Sequence, residues 1–255
     1  MDYGLKGKVA LVTGTASQKG IGKGICLILA KEGCDIISAS RDLEGAKQTA
    51  TEVKAMGPKA IALKVDVANY SEVDEMVKTA LKEFGKIDIL VNNAGLSAVG
   101  GVPFLNSTQE MWERDFAVNL FGTMNCAKAV VPGMVSRKYG KIINFSSTAA
   151  KMGAPNSYSA AKAAIQAFTR GLATEFGPSG INVNAIAPGM VRTKLFAAVS
   201  KEIENRLFEN AAALTPLRRN QTIDDIANAV AFLASDLSKN ITGQCLEVDS
   251  GMVML

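Results

Sequence analysis

Apolar positions along this chain follow two rhythms that alternate. Short runs of consecutive apolar residues, many of them β-branched, fall at Lys8–Thr13, Cys34–Ala39, Lys59–Val65, Ile87–Asn92, Gly140–Phe145, Ile181–Ala185 and Gln244–Val248. Between them lie longer stretches in which apolar residues return every three or four positions: "IGKGICLILAKEG", "LEGAKQTATEVKAMG", "SEVDEMVKTALKEFG", "TQEMWERDFAVNLFGTMNCAKAVVPGMVSRKYG" and "SYSAAKAAIQAFTRGLATEFG". The first kind reads as strands covered on both faces, the second as amphipathic helices. The fourth helical stretch is long enough for one extended helix or two abutting ones. Several helical stretches end in Gly (Gly33, Gly57, Gly85, Gly140 and Gly177), the residue that closes a helix in a left-handed conformation without steric cost.

Strands spaced by helices predict an α/β fold: a doubly wound parallel sheet of about seven strands with helices on both faces and right-handed crossovers. No linker, repeat or low-complexity segment interrupts it, so residues 1–255 read as a single domain. One segment breaks the rhythm. At about 190–221, between the last two strands, a helical pattern "AAVSKEIENRLFENAAAL" is followed by "TPLRRNQT". It reads either as a substrate loop or as a plain surface excursion.

Composition narrows the chemistry. With 48% hydrophobic and 20% charged residues in 255, the chain can bury a full core. The net charge of +4 is spread out, and the balance gives no reason to expect nucleic acid. No apolar run reaches the roughly 18 residues of a membrane span, and "MDYGLKGKVALVTG" lacks an apolar leader, so a cytoplasmic protein is expected. Cys26, Cys34, Cys126 and Cys245 are far apart and read as reduced thiols. There is no histidine, which excludes Ser-His-Asp and Cys-His catalysis and His-ligated zinc; no metal is expected.

The turn "TGTASQKGIG" after the first strand fits neither standard phosphate-loop template, since Ile25 and Lys19 stand where those patterns require Gly. Physically it is still an anion site. A helix start presents unsatisfied N–H groups, and Gly14, Gly20 and Gly22 allow close backbone approach. Lys19 adds a cation. The alternative is a turn whose glycines only solve backbone geometry. At the end of the second strand, "IISASRD" offers Ser40 and Arg41 rather than the carboxylate that binds a ribose 2′-hydroxyl. This favours NADP(H) over NAD(H), unless Arg41 is merely solvated or Asp42, one residue on, takes the carboxylate's role.

"YSAAK" puts Tyr158 and Lys162 one helical turn apart on one face. A neighbouring ammonium lowers a phenol's pKa and lets it exchange a proton with an alcohol. Ser147 can hold a carbonyl oxygen and Asn119, in "VNLFG", can relay a proton through water; the alternative is an Ala-rich packing helix.

Together with "NNAG" at Asn92–Gly95, "DV" at Asp66–Val67, "VNAIAPGMVRT" at 183–193 and "ITGQCLEVDSG" near the end, these motifs make the chain similar to the short-chain dehydrogenase/reductase (SDR) family from about Lys8 to Gly251. The resemblance implies a Rossmann-type fold and a catalytic tetrad of Asn119, Ser147, Tyr158 and Lys162. Tyr158 would be the general acid/base, with Lys162 binding the nicotinamide ribose and lowering the Tyr158 pKa. It implies cofactor contacts at Gly14, Ser17, Lys19, Gly20, Ile21, Gly22 and Arg41 at one end. Asp66 and Val67 would meet adenine, and Asn92, Pro188, Gly189, Val191 and Thr193 would complete the site with Tyr158 and Lys162. It implies a homotetramer or homodimer acting on a small ketone or secondary alcohol. Two alternatives stay open: a catalytically silent dinucleotide-binding subunit of a hetero-oligomer, and an enoyl reductase.

Three departures stand out. The loop has five residues between Gly14 and Gly20 where the family has three. Enoyl reductases share such a long loop but separate Tyr from Lys by six residues, and Ile165 stands there. The stretch from Ser147 to Tyr158 is about two residues short, which leaves Ser146 as a rival for the serine role. Ser250 stands where the family often has Gly. For the substrate wall the excursion offers Met190, Leu195, Phe196 and Phe208, and for an anionic group Arg192, Lys194, Arg218 and Arg219.

Overall fold

The computed structural model describes residues 2–193 and 200–254. Seven strands form one parallel sheet: β1 (Val9–Thr13), β2 (Asp35–Ser40), β3 (Ala60–Lys64), β4 (Ile89–Asn92), β5 (Gly140–Phe145), β6 (Ile181–Pro188) and β7 (Cys245–Val248). Their order is β3-β2-β1-β4-β5-β6-β7. The order reverses between β1 and β4, and the crevice beyond the strand C-termini there is where such sheets bind ligands.

The helices are α1 (Ile21–Lys31), α2 (Leu43–Ala55), α3 (Tyr70–Phe84), α4 (Gln109–Phe116), α5 (Gly122–Arg137), α6 (Ser157–Phe176), α7 (Lys201–Leu214) and α8 (Ile223–Ala234). Alternate residues of β1 feed two separate cores. Ala10 and Val12 pack with α1 and α8, while Val9 and Leu11 pack with α3, α5 and α6. This is the period-two consequence of a sheet covered on both faces.

Most helices begin on a side-chain cap: Asp42 for α2, Asn69 for α3, Thr108 for α4, Asn156 for α6, Ser200 for α7, and a Thr222–Asp225 capping box for α8. Helix α1 starts at Gly20 with no side-chain cap, which leaves its first N–H groups available. The long fourth helical stretch is a rod interrupted by one π turn, Ala117–Phe121, which joins α4 to α5.

The glycine endings hold in part. Gly33, Gly57 and Gly85 have positive φ, as a left-handed cap requires. At the end of α5 that conformation falls instead on Lys138, at φ 52°. Gly140 has a different reason to lack a side chain, since a Cβ there would collide with Met134. Gly177 continues the turn, and Gly180 reverses the chain at φ 74°.

The excursion between β6 and β7 closes at its base through a parallel bridge between Val191 and Gln221. Lys194, Leu195 and Phe196 lie outside the described residues. Among the described residues no helix is long and apolar enough to cross a membrane.

Candidate active site

Three glycines shape the first end of the cleft. Gly14 has φ 74° and donates its N–H to Ala39 O at 2.8 Å. A Cβ at Gly22 would strike the Gly14 carbonyl, and one at Gly20 would lie 2.8 Å from Ser17 Cβ. Asn93 Nδ2 clamps the turn from β4, donating to Thr13 O at 2.8 Å and Gly14 O at 3.2 Å. The Ser17 hydroxyl is buried with no partner. An orphaned hydroxyl and an uncapped helix start, behind glycines no other residue could replace, fit a phosphate group of a dinucleotide.

The two additional loop residues are structural. Gln18 Nε2 reaches Gly45 O on α2 at 3.3 Å, and Lys23 Nζ holds both Gln18 Oε1 and Glu52 Oε1 at 2.7 Å. Thr15 is fully buried, with its hydroxyl 2.7 Å from Ser38 Oγ and its carbonyl accepting from Thr49 Oγ1 at 2.9 Å. The longer turn is therefore sewn onto β2 and α2. Lys19 sits exposed, outside the lining of the clefts on either side of the loop.

A second cleft of about 200 Å³ runs from Gly14 and Ser17 past Ser40, Arg41, Asp66 and Val67. Arg41 Nη1 lies 4.0 Å from Asp66 Oδ2, and both side chains are more than a third exposed, so the pair is loose. Asp42, the rival for a ribose-binding carboxylate, accepts from Gly45 N at 3.1 Å as the cap of α2.

Asn92 is placed differently from expectation. It ends β4 with its side chain inside the sheet layer, donating to Asn144 Oδ1 at 2.9 Å, and lines neither cleft. Its neighbour Asn93 is the one that faces the cleft. Period-two alternation at the strand end accounts for the exchange.

The main cleft, about 600 Å³, brings together Gly14, Ser17, Gly20, Ile21 and Gly22 with Ser147, Tyr158 and Lys162, and with Pro188, Gly189, Val191 and Thr193. The Ser146 hydroxyl is buried and donates to Lys162 O at 2.9 Å while accepting from Gln166. Both serines line the cleft, and Ser146 is the one whose hydroxyl is engaged on both sides. Ser147 hydrogen-bonds Tyr158, which favours the phenolate, but burial of the phenol outweighs this and raises its pKa above the usual value.

Lys162 is buried and donates to Phe145 O at 2.8 Å, with Nζ 5.7 Å from the centroid of the Tyr158 ring. Burial pushes its pKa down to about 8, against an opposing pull from Asp115. Desolvation, and behind it the Asp115 charge, raise the phenol's pKa, and the one opposing influence is Ser147 rather than Lys162.

Asn119 sits in the π turn, fully buried. Its Nδ2 donates to Leu96 O and Asp115 O, both at 2.8 Å, and its Oδ1 accepts from Leu96 N at 3.3 Å. A Cβ at Gly95 would lie 2.9 Å from Asn119 Oδ1 and 3.4 Å from Lys162 Nζ. The glycine of "NNAG" therefore makes room for these two side chains to converge.

Met152, Met190, Leu207, Ala211, Leu214 and Met252 form an apolar wall. Leu207, Ala211 and Leu214 lie on one face of α7 at helical spacing. Phe208, expected in the wall, is instead buried beneath Arg192, whose guanidinium is 4.3 Å from the ring and 3.4 Å from Glu204. Arg192 is thereby engaged within the excursion, and Arg218 donates to Ala213 O at the end of α7.

Ser250 adopts φ 60°, a region that favours glycine, and Gln221 Nε2 donates to its hydroxyl at 2.7 Å. Sequence reasoning missed Gln221 and Asp115, because each acts through partners far away in the chain.

A family model described as Enoyl-(Acyl carrier protein) reductase matches residues 14–253. The 3-oxoacyl-[acyl-carrier-protein] reductase FabG of Staphylococcus epidermidis is 38% identical over 250 residues, covering 97% of this chain and 99% of the relative. The (2S)-[(R)-hydroxy(phenyl)methyl]succinyl-CoA dehydrogenase subunit BbsD of Thauera aromatica is 39% identical over 249 residues, covering 97% of each. Among solved structures, a short-chain type dehydrogenase/reductase from Mycobacterium marinum superposes with a TM-score of 0.90 at 30% identity, covering all of this chain and 98% of the other. The chain belongs to the short-chain dehydrogenase/reductase family and is an oxidoreductase of that type.

Proposed function

We propose that this enzyme interconverts a ketone and a secondary alcohol with a nicotinamide cofactor, NADP(H) in preference to NAD(H). Its proposed substrate is the 3-oxo or 3-hydroxy group of an acyl thioester. The observation that carries the reading is the meeting of Ser147, Tyr158 and Lys162 in one cleft with the glycine loop, beside an apolar wall. The relatives' names support the substrate class, because they specify acyl groups on acyl carrier protein or coenzyme A bearing a 3-oxo or hydroxy function. Arg41 at the mouth of the second cleft supports the phosphorylated cofactor.

The nicotinamide cofactor supplies the hydride for the carbonyl carbon. The chain's own residues handle the oxygen and its proton. Ser147 orients and polarises the carbonyl oxygen, and the Tyr158 hydroxyl donates to it as charge develops. A phenol is protonated at neutral pH, the form needed in the reductive direction, and desolvation shifts this one further the same way. The Lys162 ammonium, adjacent to the ring, holds the cofactor ribose and stabilises the phenolate left after transfer. Asn119, in the π turn, fixes Leu96 at the cleft through bonds to both its N–H and its carbonyl.

The cation is lost as pH rises through its pKa, so reductive kcat should fall above about 8. A rate that climbs through pH 9 would contradict the assignment. The four-residue Tyr–Lys step favours carbonyl chemistry over enoyl reduction, and the complete Ser-Tyr-Lys set favours catalysis in this chain over a silent subunit.

A single catalytic domain forming a homo-oligomer completes the reading. Phe121, at the end of the π turn, and Met124 on α5 are exposed beside a groove that Tyr70, Phe168 and Leu172 also line. The deciding experiment is an assay of the purified chain with a 3-oxoacyl thioester, a simple ketone and an enoyl thioester, each with NADPH and with NADH. The reading predicts NADPH oxidation with the 3-oxoacyl thioester; turnover of the enoyl thioester alone would overturn it.

A further inference from the structure

Asp115 is a fully buried carboxylate that the chemistry above does not use. It lies in α4, one turn before Asn119, and both its oxygens are taken. Oδ1 accepts from Ala98 N and Oδ2 accepts from Ser157 Oγ, each at 2.6 Å. Ala98 belongs to the loop that follows "NNAG" and carries Leu96 to the cleft. Ser157 is the residue immediately before Tyr158 and the first residue of α6. The carboxylate therefore sits against the first turn of α6, where the helix dipole favours a negative charge.

Among the described residues no Lys or Arg pairs with Asp115 directly. A buried anion held only by neutral donors is costly, and an apolar residue on this inner face of α4 would avoid the cost. We propose that Asp115 is a positioning residue for this reaction: it ties the cleft loop to the base of the catalytic helix and presents a fixed negative charge to the Tyr158–Lys162 pair. The proposal rests on the carbonyl-reductase reading above for its catalytic meaning, though not for its electrostatics.

The surroundings isolate this charge. The loop 93–108 carries no charged residue. In the stretch 146–156 the one charged side chain is Lys151, paired with Glu247 at 2.7 Å. On α4 itself Glu110, Glu113 and Arg114 are exposed. From α6, the titratable groups on which Asp115 acts are Tyr158 and Lys162, and it favours the protonated form of both. That is the state the reductive direction needs: a phenol able to give its proton and an ammonium beside it. Asp115 thus offsets part of the desolvation that would otherwise strip Lys162 of its charge.

The test separates charge from tether. Asp115→Asn keeps the shape and removes the charge. The double variant Asp115→Leu/Ser157→Ala removes the carboxylate together with the buried hydroxyl it holds, so that only the part-buried Ala98 N–H loses its acceptor. Ser157→Ala alone keeps the charge and breaks the tether. The readout is an NMR titration of lysine ε-carbons in the cofactor-free protein, with the Lys162 signal assigned by its loss in Lys162→Met.

In either charge-free variant the Lys162 midpoint should fall by about one pH unit, and the alkaline limb of reductive kcat should move down with it. In Ser157→Ala the midpoint should stay in place while kcat drops several-fold and the KM for NADPH does not change. An unmoved midpoint in a folded charge-free variant overturns the proposed charge role, and wild-type kcat in Ser157→Ala overturns the tether. The titration needs no substrate, so a wrong substrate class would leave this result readable.

Discussion

The two walls of the main cleft are built on opposite plans. One wall, from the end of β5 into α6, carries polar side chains with fixed partners, Ser146 on Lys162 O and Lys162 on Phe145 O, and is backed by the buried Asn119 of the π turn and Asp115 of α4, held on Leu96 and Ser157. The other wall, α7, presents Leu207 and Leu214, which are 42% and 79% exposed, and its flanking Arg192 is engaged by Glu204 and Phe208 within the excursion itself. The first plan suits a proton transfer, which tolerates little misplacement. The second suits an acyl chain, which needs apolar area without fixed geometry. Reaction type then resides on the α6 wall, and substrate preference on the α7 wall.

That division can be broken from several directions. The largest expected effect is at the glycine loop, which serves both walls. Gly22→Ala forces a Cβ into the Gly14 carbonyl and should weaken NADPH binding by on the order of 10²-fold or more, measured by fluorescence titration. Near-normal binding would mean that the loop does not hold the cofactor. A smaller effect is expected at Arg41. Arg41→Ala should raise the KM for NADPH by about tenfold and leave that for NADH nearly unchanged, as loss of one exposed phosphate contact implies. Equal effects on both cofactors would remove the basis for the NADP(H) assignment.

The smallest effect is on the outer wall. Leu214→Ser should raise the KM for a long-chain 3-oxoacyl thioester by a few-fold, about 1 kcal/mol of apolar contact, and leave kcat and a short-chain substrate untouched. A drop in kcat there would show that α7 takes part in the chemistry, and the two-wall comparison would fail.

The parts legible in the sequence are those set by local pattern. Every strand was readable to within two or three residues, because parallel strands buried on both faces are continuous apolar runs. Tyr158 and Lys162 were readable because helical spacing alone puts them on one face. Residues whose role depends on contacts remote in the chain were not. Asp115 looks like one more charged residue in "WERDF" until the fold sets it against Ala98 and Ser157. Phe208 looks like a pocket residue until α7 turns it inward beneath Arg192. Asn92 and Asn93 cannot be told apart until the end of β4 is fixed to the residue. The surroundings of Tyr158 follow the same rule: the neighbouring cation is visible in the sequence, but the desolvation that raises the phenol's pKa belongs to the fold.

The central claim is that the Tyr158 hydroxyl supplies the proton while the rest of the cleft holds the cofactor in place. Tyr158→Phe removes that one oxygen and keeps the ring. Single-turnover reduction of a 3-oxoacyl thioester, with NADPH affinity measured on the same sample, tests the claim directly. The account predicts a rate lower by about 10²–10⁴-fold with affinity unchanged. A variant that binds NADPH normally and reduces the thioester within about threefold of the wild-type rate would contradict it.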